Sequence, residues 1–324
     1  MRALLHNLLL DLQSSDAQIL DGWQQILDLE IEAAAARPDL VIPQIHLAAA
    51  VVGYLQPPPE TKPSYEEPKE SRKKRLMRYY ETENGGFLDL ARPAQIVFNF
   101  EKSTTQIKLT RPVLDAGNLE DLTLIALAPF LRRRGIFITH AFAAVRPLAE
   151  APDAAVLICG PPGSGKTSTG LALLDQGFGF LANDAALLGE AQGQVKVYPS
   201  PGTINLHPET ITLLPAYRNL VDGDAHPMHI HRGKIFITRG TLLEKHARAA
   251  PAAVQTILFP SITDGRQHIL HEVLPAVGLA RLIEENIDQW DENTFLDHIN
   301  LLTNLSRQAT FYDLYLARGQ TFTM

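Results

Sequence analysis

The run Gly160-Pro161-Pro162-Gly163-Ser164-Gly165-Lys166-Thr167 constrains this chain more than any other stretch. An apolar segment, Ala155 to Cys159, leads into it, and a helix-forming run, Ser168 to Gln176, leads out. G-x-x-x-x-G-K-T between a strand and a helix is the context in which a phosphate-binding loop is credible. The glycines let backbone N–H groups turn inward around phosphate oxygens, and the helix start adds a partial positive charge. The residues expected to cradle a nucleotide's phosphates are therefore Gly160, Pro161, Pro162, Gly163, Ser164, Gly165, Lys166, Thr167 and Ser168. Lys166 would reach the β- and γ-phosphates, and the Thr167 hydroxyl would ligate Mg²⁺.

A chain of 324 residues with 45% hydrophobic and 20% charged residues has room for one large or two modest cores. Its formal charge of −7 argues against a nucleic-acid binder that relies on overall positive charge. The only cysteine, Cys159, rules out an internal disulfide, which fits a reducing cytoplasm, and its place at a strand end reads as a small buried hydrophobe. His6 and Asn7 interrupt the opening MRALLHNLLL, and no small-residue cleavage site follows, so an amphipathic helix is expected there rather than a signal peptide. Leu47 to Leu55 is too short to cross a bilayer, and no membrane association is expected.

In chain order, Met1 to about Arg37 is expected to be helical, with Leu20, Trp23, Ile26, Leu27 and Ile31 on one face. Gln56 to Pro68 is Pro-rich and charged and reads as a linker; Lys69 to Tyr80 reads as a basic, solvated helix. Short strands are expected at 86–90, 94–100 and 105–110, followed by a helix from Asp115 to Arg134 whose three closing arginines suit its C-terminal dipole. Beyond the loop helix, strands are expected at 178–182, 194–198, 203–206, 256–262 and 268–274, with a hairpin around Arg232-Gly233. Two helices, 276–289 and 293–316, close the chain. This divides it into an α-rich N-terminal region with a linker, 1–80, and a mixed α/β domain built around the loop, 81–324.

Several local features then make the chain from about Gly86 onward resemble the HPr kinase/phosphorylase family, whose phosphate-loop fold is similar to that of phosphoenolpyruvate carboxykinase. The features are Arg134-Gly135-Ile136-Phe137-Ile138-Thr139-His140, GPPGSGKT, Phe180-Leu181-Ala182-Asn183-Asp184 and Gly202-Thr203-Ile204-Asn205-Leu206. The resemblance implies an α/β fold with a mixed sheet around the loop, ATP and Mg²⁺ as cofactors, and phosphoryl transfer to a Ser/Thr or other hydroxyl of a protein, peptide or small molecule. It implies catalytic roles for Lys166, Asn183, Asp184 and His140, with Thr167 and Asp184 on the metal. Relatives in the family form oligomers, so a homo-oligomer is among the expectations. Where the family has two aspartates this chain has Asn183-Asp184, and an amide cannot accept a proton as a carboxylate does. Three outcomes stay open: Asp184 as base, His140 as base, or a nucleotide-binding sensor or scaffold that transfers no phosphate. The acidic and basic residues that precede the family's Gly202-like signature are replaced by Val197, Tyr198, Pro199 and Ser200, which argues against phosphorolysis.

Asp222, Asp224, His226, His229 and His231 crowd one segment without a metal-ligand spacing signature and read as a polar loop entering a hairpin. Arg232, Lys234 and Arg239 read first as solvated hairpin charges; if the hairpin lies near the nucleotide, they would be the positive charges nearest a transferred phosphoryl group. Trp23 and Trp290 read as packing residues.

Overall fold

The structure, a computed structural model, describes residues 1–40, 42–68, 77–90, 94–147, 153–218, 235–287 and 289–323. The chain forms two compact units, Met1–Arg134 with Asp288–Thr294, and Gly135–Ile287 with Phe295–Met324.

The first unit is built on an eight-stranded sheet. Its elements are β1 (Arg2–Leu5), β2 (Leu8–Gln13), α1 (Ala17–Ile26), α2 (Asp28–Ala35), β3 (Ile45–Val51), β4 (Tyr65–Glu66), β5 (Arg78–Thr82), β6 (Gly85–Asp89), β7 (Ala94–Asn99), β8 (Thr104–Leu109), α3 (Arg111–Asp115) and α4 (Leu119–Arg132). The strands run β1-β2-β3-β8-β7-β6-β5-β4, and only the β2–β3 and β3–β8 pairs are parallel. The expected α-rich N-terminal region is thus a sheet with helices packed on it. Residues 1–13 form a hairpin because His6 and Asn7 take left-handed conformations (φ +45° and +62°) and turn the chain in two residues. The expected face of Leu20, Trp23, Ile26, Leu27 and Ile31 is broken at Leu27, which separates α1 from α2; α1 buries Ile19, Trp23 and Ile26. Trp23 is fully buried and donates from Nε1 to Thr123 Oγ1 at 3.0 Å. The expected boundary at 80/81 falls inside β5, where Arg78 to Tyr80 are strand rather than helix; Lys69 to Leu76 lie outside the described residues. The expected linker contributes β4 to the sheet edge. The arginines ending α4 serve packing: Arg133 donates to both Asp291 oxygens (3.0 and 3.1 Å) and lies over the Phe100 ring. Trp290 stacks near Phe98 and Tyr79 in the same unit.

The second unit continues with β9 (Ile136–Thr139), β10 (Ala141–Arg146), β11 (Ala154–Cys159), α5 (Lys166–Asp175), β12 (Gly179–Ala182), β13 (Ala186–Ala191), β14 (Gln194–Tyr198), β15 (Ile204–Leu206), α6 (Pro208–Leu213), β16 (Ile235–Ile237), α7 (Arg239–Leu243), β17 (Ala252–Thr263), β18 (Ile269–Val273), α8 (Pro275–Asn286), α9 (Glu292–Gln308, whose first turn belongs to the other unit) and β19 (Thr310–Ala317). Its main sheet is mixed and ordered β12-β10-β11-β17-β14-β13-β9, with β19 between β17 and β18. β17 is long enough to share one edge, pairing β14 at its start and β19 from Thr256 onward. β16 pairs with β15; the other arm and the turn of the expected hairpin, Met228 to Lys234, lie outside the described residues. The expected final helix stops at Gln308, and the aromatic and β-branched run from Thr310 becomes β19, parallel to β17. The protein is a mixed α/β fold. No described helix is long and apolar enough to cross a membrane.

Candidate active site

β11 is buried at all six positions, as a strand covered on both faces must be, and it ends at Cys159. Burial pushes the Cys159 thiol up to about 12, so it is a neutral apolar group. The chain then turns through Gly160, Gly163 and Gly165, with φ of +146°, +82° and +104°. At Gly165, the N-cap of α5, a side chain would have to sit 2.7 Å from Leu316 Cδ1 in that left-handed conformation, so only glycine fits. Gly160 is tight too, though less so: a Cβ there would stand 3.1 Å from Ser164 Oγ. Three glycines without side chains thus shape a loop that opens onto a helix N-terminus.

Lys166 is 8% exposed and folds back over the loop, donating from Nζ to Gly160 O at 2.6 Å and to Pro161 O at 3.3 Å. The Ser164 hydroxyl is buried with no hydrogen-bond partner among the described residues. A cation drawn across a loop of backbone groups, with an orphaned hydroxyl beside it, fits an anion such as a phosphate chain. Pro161, Pro162 and Ser168 complete the expected set; Ser168 Oγ lies 3.1 Å from Thr210 Oγ1.

On one side of the loop stands a polar cluster. The Thr167 hydroxyl donates to Asn183 Oδ1 at 3.3 Å, and Asn183 Nδ2 donates to Thr203 O at 3.0 Å. Asn183 is 5% exposed, so both ends of its amide are used inside the protein. Asp184 follows in a left-handed conformation, φ +64°, which is strained for a residue with a side chain. Its carboxylate is half-exposed; His140 Nδ1 lies 2.9 Å from its carbonyl oxygen and 3.3 Å from its Oδ1. His140 sits between β9 and β10, and its backbone N–H donates to Asn286 Oδ1 at 2.6 Å.

The fold thus brings Lys166, Thr167, Asn183, Asp184 and His140 to one edge of one sheet, where β11 and β12 end and β10 begins. Thr167 Oγ1 and the Asp184 carboxylate are hard oxygen donors of the kind Mg²⁺ takes, completed by water and phosphate oxygens. No group of three or more His, Cys, Asp or Glu side chains suited to a metal is present among the described residues. Asp222 to His231, with Arg232 and Lys234, lie outside the described residues. Arg239 is described: it is buried and donates to Ser200 O. Thr203 belongs to the Gly202 signature, whereas Thr210 and Asn286 carry no sequence signal. Thr203 and Asn286 act through one backbone or amide contact, and Thr210 through a hydroxyl pair, so tertiary folding alone makes these contacts visible.

No protein-family model matches this chain, and no curated protein matches it. Among solved structures it is similar to the HPr(Ser) kinase/phosphatase from Coxiella burnetii, at 15% identity and a TM-score of 0.28, over 55% of this chain and 84% of that one.

Proposed function

We propose that this protein is an ATP-dependent kinase that transfers a phosphoryl group to a hydroxyl of a protein, peptide or small molecule. One observation carries the reading. A loop turned by three left-handed glycines runs from the end of a buried strand to a helix N-terminus, with Lys166 drawn across it and Thr167 and Asp184 at its mouth. Phosphoryl transfer asks for charge neutralisation and alignment more than covalent participation. Lys166 and the loop amides supply positive charge to the phosphates. Thr167 and Asp184 would hold Mg²⁺, which when bound neutralises charge on the phosphate oxygens. Asn183, buried and engaged at both ends, positions the Thr167 hydroxyl rather than meeting the acceptor. The half-exposed Asp184–His140 pair stands where an acceptor hydroxyl can approach and give up its proton.

A second reading, a nucleotide-binding sensor or scaffold without phosphoryl transfer, is favoured by one feature. The buried position 183 carries an amide, which accepts no proton. Incubation with γ-labelled ATP, Mg²⁺ and a panel of hydroxyl-bearing peptides separates the two. Lys166-dependent ADP formation and label transfer support the kinase. Lys166-dependent binding with no turnover over hours supports the sensor, and absence of nucleotide binding overturns both.

A further inference from the structure

The residues around the loop are divided by strand order. β10 and β12 lie on one side of β11 and bring His140, Asn183 and Asp184; β17 and β19 lie on the other. β17 and β19 run parallel to β11, so their carboxyl ends lie at the same sheet edge as the loop, and β17 continues past the end of β11 alongside it. Open α/β sheets bind ligands outside the carboxyl ends of such strands. The side chains there are apolar. Pro260 Cδ lies 3.9 Å from where a Gly160 Cβ would be, and at Gly165 Leu316 Cδ1 and Ile262 Cγ1 lie at 2.7 and 3.8 Å. Leu316 is buried under the loop, but Ile262 is 45% exposed. Ile262 pairs with Leu316 across the β17–β19 ladder and so presents its side chain on the same sheet face as the loop.

We infer that Ile262 is the platform for the heteroaromatic base of the nucleotide, a subsite separate from the phosphate cradle; this rests on the reading of residues 160–168 as a nucleotide site. A nucleotide whose terminal phosphate points toward Thr167 and Asp184 extends its other end across the loop, away from β10 and β12 and over β17. The half-exposed isoleucine is the apolar surface it meets. Contact with a base face adds affinity without choosing among bases, because every base has such a face.

Calorimetry with two probes, Mg-ATP and inorganic triphosphate with Mg²⁺, tests this on the full chain and on Ile262→Thr and Lys166→Ala. Threonine keeps the β-branched shape, and melting curves check that the fold is retained. Ile262→Thr is expected to weaken ATP roughly five- to tenfold, in proportion to the apolar area lost, and to leave triphosphate unchanged. Lys166→Ala is expected to weaken both probes. Equal effects of Ile262→Thr on both probes, or none on ATP, would overturn the base subsite while Lys166-dependent binding keeps the phosphate reading intact. Failure of both probes to bind the parent would overturn the phosphate reading and the subsite with it.

Discussion

In the first unit the left-handed residues sit where neighbouring elements turn: His6 and Asn7 between β1 and β2, Ser103 between β7 and β8, Gly117 between α3 and α4. The second unit has turns of the same kind, such as Gln192-Gly193 between β13 and β14, but it also gathers Gly160, Gly163, Gly165 and Asp184 at one sheet edge. A turn residue satisfies local geometry and can be replaced by another turn residue. Asp184 shares the left-handed conformation of His6, Asn7, Ser103 and Gln192, but it stands at the end of β12 beside His140, and strain of that kind persists where the surroundings impose it. The buried charges differ as well. In the first unit the cations of Arg132 and Arg133 lie beside Asp291, whereas the near-buried ammonium of Lys166 rests on loop carbonyls. The buried Arg239 of the second unit is likewise paired internally, to Ser200 O, so it is Lys166 that turns its charge toward the loop.

Substitutions can break that contrast. Trp23→Ala removes a fully buried indole and its hydrogen bond to Thr123, and is expected to cost about 3–5 kcal/mol in denaturant unfolding. ATP affinity of the folded fraction should be unchanged; a matching loss of affinity would show that the two units do not divide their work. Gly165→Ala is expected to cost about 3 kcal/mol, the sum of left-handed strain and the clash with Leu316, and here nucleotide affinity should fall with stability. Unaltered ATP binding in a folded Gly165→Ala would show that the loop's shape is incidental.

Asn183→Asp sharpens the comparison within the second unit. The change would set a carboxylate oxygen against the Thr203 carbonyl that Nδ2 now serves, and is expected to lower stability by about 1–2 kcal/mol. A rise in melting temperature would mean that the site is built for a carboxylate after all. The smallest effect is expected at Asp16, which caps α1 by accepting from the N–H groups of Gln18 and Ile19. The Arg111 guanidinium hydrogen-bonded to Asp16 holds its carboxyl below the ordinary 3.8. Because the folded value is depressed, this stabilisation is present above pH 3.8 and is lost as the pH falls through the folded value. Asp16→Ala should therefore cost about 1 kcal/mol at neutral pH and less at the acid end of a pH series of melting curves, where the ionic part of the cap is gone.

The loop was legible because its information is local: glycines, lysine and threonine at fixed spacing between an apolar run and a helix former. Asn183-Asp184 could be placed from the sequence at the end of a short apolar strand, but their roles came from resemblance. His140 came from resemblance, since nothing in its neighbours tells a strand-end histidine from a packed one. The N-terminal hairpin was missed because MRALLHNLLL has helix-forming leucines, and His6-Asn7 was read as a break in an apolar run instead of a two-residue turn. β13 was missed for a like reason: Ala186-Leu187-Leu188 favours helix locally, and pairing with β9 and β14 overrides that preference. β19 disappeared into the helix before it, where apolar residues run on without punctuation. Of the partners that fix the site, Thr203 lies in the Gly202 signature, whereas Asn286 and Leu316 come from a distant helix and strand and carry no local signal.

The central claim, that residues 160–168 hold a nucleotide's phosphates, is tested most directly by calorimetry of Mg-ATP against the parent and Lys166→Ala, with melting curves showing both folded. The account predicts saturable binding of one ATP per chain, weakened by roughly 100-fold or more when the ammonium is removed. Equal affinity in both proteins, or no binding to the parent, would contradict it.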